Sequence, residues 1–299
     1  SGCRGLKLQT NLKLMTDKLK NLTVRTLSGA VLAAVLFGAT LLSPWGYVAL
    51  LAVITAVGVW EFYNLAQGCG YSAQRVMGTS LAVILFGFGA AIFASVAVAR
   101  SLEAERVILA AILYGLVAVP SVFVCELFRK QEHPIANVAV TLAGVLYVAL
   151  PAALMLAVPL LLSNGAGWNP WCALCYILTI WANDSFAYLA GVAFGKHRMC
   201  ERISPKKSWE GFVGGVVAAV GFAVLWGWLL DGNMLVWAGL GGVVAITGVA
   251  GDFVESLFKR SAGVKDSGAI MPGHGGVLDR FDALFISAPY VVMYLILVS

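Results

Sequence analysis

Residues 171–194 read WCALCYILTIWANDSFAYLAGVAF, an apolar run interrupted by the polar side chains of Asn183 and Asp184. A helix of this length rises by about 36 Å, which is enough to cross the hydrocarbon core of a bilayer. A carboxylate inside such a run is costly unless it faces a partner, an ion or a polar cavity. The stretch therefore predicts a transmembrane helix that carries a functional acid. The alternative is a carboxyl group that only ties helices together.

Apolar runs of similar length recur along the whole chain. Of the 299 residues, 60% are hydrophobic and only 12% are charged, which excludes a disordered chain and disfavours a water-soluble globule. Because the runs are continuous rather than alternating, they favour helices over a closed β-barrel. We predict an all-α polytopic membrane protein with about nine transmembrane helices: Thr26–Ser43, Tyr47–Ala66, Gly78–Ala99, Val107–Phe128, Asn137–Leu162, Trp171–Phe194, Phe212–Leu230, Met234–Ala250 and Phe281–Val298.

The basic residues indicate the orientation of these helices. With the amino terminus in the cytoplasm, every one of the 20 lysines and arginines except Arg100 and Arg106 falls in a cytoplasmic segment. Nine spans then place the carboxyl terminus outside. The net charge of +5 reflects this asymmetry, so we predict no nucleic-acid partner. Residues 1–25 are predicted to form a basic arm on anionic headgroups, and residues 26–299 a single transmembrane domain.

Four more carboxylates lie in or beside the last two predicted spans. Asp252 and Glu255 are three residues apart near the end of the eighth span, and Asp279 and Asp282 have the same spacing at the start of the ninth. Each pair therefore shares a helical face. Hard divalent cations prefer oxygen ligands, with the remaining positions left for water and phosphates. These four acids and Asp184 are the predicted metal ligands.

Basic and glycine-rich segments flank the acids. Ser204-Pro205 is typical of a helix start, which would place Lys206 and Lys207 near a helix amino terminus, a favourable position for phosphate. The general enrichment of lysines in cytoplasmic segments explains Lys206 and Lys207 equally well. The segment SLFKRSAGVKDSGAIMPGHGG, residues 256–276, allows backbone N–H groups to approach phosphate oxygens, although it is neither a Walker loop nor a dinucleotide fingerprint.

Four other residues are predicted to have structural roles. Glu61 and Glu126 lie near cytoplasmic helix ends, where a solvated or snorkelling carboxylate is expected. Cys172 and Cys175 form a C-x-x-C motif without a second pair or a nearby histidine. This spacing favours packing between helices over zinc or redox chemistry.

The order of the motifs resembles the phosphatidate cytidylyltransferase family, also called the CDP-diacylglycerol synthases. The resemblance rests on S-L-F-K-R, K-D-S-G and P-G-H-G-G-V-L-D-R-F-D between Ser256 and Asp282. The upstream blocks DSFAY (184–188), FGKH (194–197) and SPKKSWEG (204–211) stand in the same order as in that family. Together they define a signature region at residues 181–282.

This resemblance implies transfer of a cytidylyl group from CTP to phosphatidic acid at the cytoplasmic face of a bacterial inner membrane, giving CDP-diacylglycerol and pyrophosphate. It also implies Mg²⁺, a second cation such as K⁺, a surrounding lipid bilayer and a homodimer. The candidate catalytic residues are then Asp252, Asp279, Asp282, Lys265, His274 and Arg280. The candidate substrate-binding residues are Lys206, Lys207, Ser208, Lys259, Arg260, Gly275, Gly276 and Asp266.

Three other functions are compatible with parts of the pattern. A secondary transporter or channel also places acids in glycine-interrupted helices, but the outer loop SNGAGWNPW (163–171) carries no charge. A CTP-dependent polyprenol or phytol kinase would share the nucleotide and the membrane setting but would release CDP. A non-catalytic scaffold is disfavoured, because burying many ionic groups is typically no more stable than an apolar interface.

Overall fold

A computed structural model describes residues 23, 26–99, 104–163, 167–270 and 275–298. Apart from Thr23, the predicted basic arm lies outside the described residues, as does His274. A short hairpin, β1 Arg198–Cys200 and β2 Ser204–Ser208, connects two of the helices. The helices are α1 Thr26–Leu42, α2 Pro44–Gly68, α3 Arg75–Ala94, α4 Ala104–Arg129, α5 Pro134–Gly144, α6 Leu150–Met155, α7 Val158–Leu162, α8 Pro170–Phe194, α9 Trp209–Leu229, α10 Met234–Ser261 and α11 Leu278–Val298.

Within the described residues, eight helical segments are long and apolar enough to cross a membrane. They coincide with the second to ninth predicted spans, while the first predicted span forms the shorter apolar helix α1. The predicted all-α polytopic membrane fold is therefore confirmed, and its orientation stays a prediction. Cys172 and Cys175 on α8 are free, buried thiols, as their predicted packing role requires.

The fifth predicted span is helical but irregular. Between α5 and α6 it forms a π-helical turn, Val145–Ala149, and α6 and α7 follow within the same segment. Pro151 and Pro159 lie in the first turns of α6 and α7, where the missing N–H has no helical partner to lose. A π turn inserts one extra residue into the helix and therefore redirects the side chains around it.

The structure contradicts the helix start predicted at Ser204-Pro205. Residues 204–208 form strand β2, antiparallel to β1, and α9 begins only at Trp209. The N-cap is Ser208, whose Oγ accepts the N–H of Gly211 at 3.2 Å. Because Ser208 satisfies the first helical turn, both lysines of the motif lie in the strand that precedes the helix.

Glycines bring the four helices of the second half close together. On α9, a Cβ at Gly215 would lie 2.7 Å from Asn183 Oδ1 of α8. On α10, a Cβ at Gly251 would lie 2.6 Å from the carbonyl oxygen of Asp282 on α11. Small residues permit such close backbone approach between membrane helices. This packing brings the acids of α8, α10 and α11 together.

The prediction that Glu61 and Glu126 are solvated is wrong. Their side chains are buried, with exposed fractions of 2% and 6%. Glu126 accepts hydrogen bonds from Gln74 at 2.8 Å, Arg129 at 2.8 Å and Asn137 at 2.9 Å. These donors compensate its charge, which makes burial of the carboxylate possible. The network ties α4 to α5 and to the start of α3.

Candidate functional site

The inner acid cluster consists of Asp184, Asp252 and Asp282. Asp282 is buried, and its carboxyl group lies close enough to that of Asp252 for the two to interact electrostatically. Asp184 interacts electrostatically with Asp252 and accepts a hydrogen bond from Asn183 Nδ2 at 3.2 Å. Lys207, at the end of β2, places its Nζ 2.5 Å from Asp252 Oδ2. Since these carboxylates outnumber the ammonium group of Lys207, the arrangement favours binding of a further cation.

A second group, the loop-anchoring cluster, consists of Glu255, Lys259 and Asp279. Lys259 forms ion pairs with Glu255 and with Asp279, the latter at 2.7 Å. The other oxygen of Asp279, Oδ2, accepts the Ser267 N–H at 2.8 Å, the Ser267 hydroxyl at 2.9 Å and the Gly276 N–H at 2.8 Å. The carboxylate of Asp279 therefore holds the glycine-rich segment against the first turn of α11.

Two glycines of that segment occupy positions that exclude a side chain. Gly275 has a φ of +84°, and a Cβ there would collide with the Asp279 carboxylate. A Cβ at Gly276 would lie 2.5 Å from Ser267 Oγ and would also collide with Glu61. These positions require glycine because the backbone must pass close to two carboxylates.

Glu61 is a site residue that the sequence reasoning missed. Its Oε2 accepts the N–H of Leu278 at 2.9 Å and the Ser267 hydroxyl at 3.4 Å. Within the described part of the chain, its Oε1 is buried without a hydrogen-bond partner. The sequence feature that could have identified Glu61 is its charge, since a glutamate in an apolar helix marks a candidate site. Through Glu61, helix α2 contacts the signature region directly.

The remaining predicted site residues belong to neither cluster. Ser208 is buried as the N-cap of α9, and His274 lies outside the described residues. The structure thus brings the five predicted acids together with Lys207 and Lys259. Asp184 is exposed, and so are the other predicted side chains: Lys206, Arg260, Lys265, Asp266 and Arg280.

The carboxylate oxygens fit a hard cation with few protein ligands. Among the described residues, no three histidine, cysteine or acidic side chains already form a metal-binding group. The neighbouring carboxyl groups of Asp252 and Asp282 could nevertheless offer oxygen ligands of the kind that Mg²⁺ uses together with water and phosphate oxygens. Asp279, by contrast, is already occupied by Lys259, Ser267 and Gly276.

The comparison with known proteins agrees with the motifs. A sequence profile of the cytidylyltransferase family matches residues 23–298. The chain belongs to the cytidylyltransferase family. The family assignment made from the motifs is confirmed. The inner acid cluster and the loop-anchoring cluster of this family member both lie within the matched region.

Curated relatives support the same assignment. A protein named phosphatidate cytidylyltransferase from Mycobacterium bovis is 43% identical over 127 residues, which cover 42% of this chain and 40% of that protein. A Staphylococcus aureus protein of the same name is 46% identical over 121 residues, 40% of this chain and 46% of that protein. The aligned segment of this cytidylyltransferase family member thus spans less than half the length of these relatives.

Proposed function

We propose that the protein transfers a cytidylyl group from CTP to phosphatidic acid, forming CDP-diacylglycerol and releasing pyrophosphate. The observation that carries the proposal is the proximity of the interacting carboxyl groups of Asp252 and Asp282 beside Lys207, on helices long and apolar enough to cross a membrane. Membership in the cytidylyltransferase family and the names of the relatives support the reaction class.

The proposed reaction depends more on neutralising the charges of its two anionic substrates than on a strong base that would deprotonate the nucleophile. The nucleophile is a phosphate oxygen of phosphatidic acid, which is already ionised near neutral pH, and the barrier arises from repulsion between two anions. We assign Asp252 and Asp282 to hold Mg²⁺, with Asp184 as a third acid beside them. When bound, Mg²⁺ would neutralise charge on the triphosphate and on the leaving pyrophosphate. A second cation such as K⁺ remains part of the proposal.

The chain's own side chains would orient the substrates. Lys207 lies beside Asp252, so its ammonium group can contact phosphate oxygens that approach the acids. Lys259 and Asp279 fix the glycine-rich segment, whose backbone N–H groups are suited to bind further phosphate oxygens. Holding both reactants in one geometry accelerates the reaction by itself, because it replaces a bimolecular encounter.

We also propose that the site opens to the cytoplasm and that the protein forms a homodimer. The hairpin between α8 and α9 carries a high density of basic residues, which favours the cytoplasmic side of an inner membrane. A site at this level would bind soluble CTP while the acyl chains of phosphatidic acid stay in the bilayer.

The direct test uses the purified protein in detergent with phosphatidic acid, Mg²⁺ and CTP labelled at the α-phosphate. We expect the label in the lipid phase together with an equal amount of pyrophosphate. Release of CDP with transfer of the γ-phosphate to a lipid alcohol would instead establish the kinase alternative. Absence of both transfers, with folded protein and metal supplied, would reject the proposed function.

A further inference from the structure

Tyr147 is a half-buried residue with a buried hydroxyl group, and neither the motifs nor the proposed reaction assigns it a role. It lies in the π-helical turn Val145–Ala149, in the half of the chain outside the signature region. π turns occur frequently at functional sites, because the extra residue reorients neighbouring side chains. Here the turn directs the Tyr147 ring toward α2, α10 and α11.

The ring of Tyr147 is held firmly by aromatic neighbours. Its centroid lies 5.7 Å from that of Phe62, 5.5 Å from that of Phe258 and 6.1 Å from that of Phe285. These tilted and edge contacts are typical of stabilising aromatic pairs. The ring position is thus fixed by packing and does not depend on the hydroxyl group.

The hydroxyl group, by contrast, has no hydrogen-bond partner among the described residues, although it is buried. It interacts electrostatically with the carboxylates of Asp282, Glu255 and Asp252. Leaving a buried donor unpaired is unfavourable, because the group loses its hydrogen bonds to water. A phenylalanine would avoid this cost, so the retained hydroxyl calls for a functional explanation.

The acceptor that suits this donor is Glu255. The Asp282 carboxylate already accepts the Ala283 N–H at 2.8 Å and interacts with Asp252. Glu255 is 2% exposed, and its Oε1 is also buried without a partner in the described part of the chain. The Tyr147 hydroxyl and Glu255 Oε1 are therefore both buried without a partner in the described part of the chain, and the two side chains are near enough to interact electrostatically.

We propose that Tyr147 is a positioning residue that donates a hydrogen bond to Glu255 when the site binds Mg²⁺ and CTP. Glu255 pairs with Lys259, and Lys259 pairs with Asp279, which holds the glycine-rich segment. Tyr147 thus links the first half of the chain to the segment that would bind the phosphates of CTP. This inference rests on the proposed cytidylyl transfer.

The test is Tyr147→Phe, which removes the hydroxyl group and keeps the ring packing. We expect the KM for CTP to rise about tenfold, a change of about 1.4 kcal/mol, with a smaller effect on kcat. The matched control is Tyr63→Phe, since the Tyr63 hydroxyl is also buried but donates to the Thr141 carbonyl oxygen at 2.7 Å. The control should keep the KM within twofold of the parent. An unchanged KM in Tyr147→Phe would reject the proposal.

A double-mutant cycle tests whether Tyr147 acts through Glu255. If it does, Tyr147→Phe should have little further effect on the KM for CTP in a Glu255→Met background, which lacks the acceptor, because interacting residues are not additive. Full additivity of the two effects would overturn the proposed link. Should Tyr147→Phe fail to fold, Tyr147→Met in the same two backgrounds gives the same comparison, because methionine also lacks a hydrogen-bond donor.

A binding measurement separates this proposal from the reaction itself. Mg²⁺ and CTP together should raise the thermal unfolding temperature of the parent protein in detergent. Tyr147→Phe should reduce that rise, and Tyr63→Phe should preserve it. If the parent shows the rise but no cytidylyl transfer, the proposed function fails, and the smaller rise expected in Tyr147→Phe then decides whether Tyr147 supports binding of Mg²⁺ and CTP. If the parent shows no rise, the role of Tyr147 is rejected.

Discussion

Glu61 on α2 accepts the backbone N–H of Leu278 at 2.9 Å, a hydrogen bond between residues 217 positions apart. Leu278 is the first residue of α11, where the initial N–H groups have no helical acceptor. A carboxylate at this position satisfies one such donor and interacts favourably with the helix dipole. The start of the helix that carries Asp279 and Asp282 is therefore fixed by a residue from the first half of the chain.

We expect Glu61→Gln to lower cytidylyl transfer about tenfold, because it weakens charge-assisted hydrogen bonds at the start of α11. The matched control is Glu126→Gln, which removes a second buried carboxylate whose partners Gln74, Arg129 and Asn137 lie away from the acid clusters. Both variants should lose thermal stability in detergent, but only Glu61→Gln should lose activity. Equal activity losses would contradict a specific role for Glu61.

Asp282→Asn should abolish activity without destabilising the protein. The Asp282 carboxyl group interacts electrostatically with that of Asp252, so neutralising one of them relieves repulsion in the absence of metal. We expect an unchanged or higher unfolding temperature without Mg²⁺, a loss of at least about a hundredfold in kcat, and loss of the stabilisation by added Mg²⁺. A variant that Mg²⁺ still stabilises as it does the parent would remove Asp282 from the metal assignment.

Lys259→Met should destabilise the protein by about 3–5 kcal/mol, because it leaves Glu255 and Asp279 without their shared cation. Addition of Glu255→Gln should restore part of that loss, since one uncompensated buried charge is then removed. The measurement is the unfolding midpoint of the single and double variants in one detergent. A double variant less stable than Lys259→Met would argue against the ion-pair interpretation.

Gly275→Ala should reduce activity far more than Gly263→Ala. Both glycines have positive φ, +84° and +69°, so alanine is strained at each position. A Cβ at Gly275 would also collide with Asp279, whereas nothing lies within 4 Å of a Cβ at Gly263. We expect Gly263→Ala to stay within about threefold of parental kcat/KM and Gly275→Ala to fall at least about thirtyfold. Similar losses in both would show that strain, and not the approach to Asp279, limits position 275.

The orientation can be measured with an impermeant thiol reagent on intact cells and on inverted vesicles. In a background whose native cysteines are replaced by serine, Glu201→Cys in the hairpin should react only in inverted vesicles. Asp231→Cys, between α9 and α10, should react only in intact cells. Both side chains are exposed, so accessibility within the protein is not limiting. The reverse pattern would place the candidate site on the outer face.

The sequence by itself determined the polytopic helical fold, the family and the acids of the candidate site. Long apolar runs can satisfy their backbone only as helices in a bilayer, so the fold follows from composition and run length. The acids Asp184, Asp252 and Asp282 were recognisable because a charge within an apolar helix is costly. These properties depend on residues close together in the chain, and a local pattern is sufficient to reveal them.

Only the tertiary structure decided how these acids are paired and which distant residues support them. Asp252 interacts with Asp282, while Asp279 binds Lys259 and the glycine-rich segment. The sequence did not reveal this difference, because the pair Asp252 and Glu255 has the same three-residue spacing as the pair Asp279 and Asp282. The start of α9 was misplaced because Ser204 and Ser208 both suit an N-cap, and strand pairing selects Ser208. The contribution of Glu61 was missed because its hydrogen bond to α11 forms only when distant helices pack.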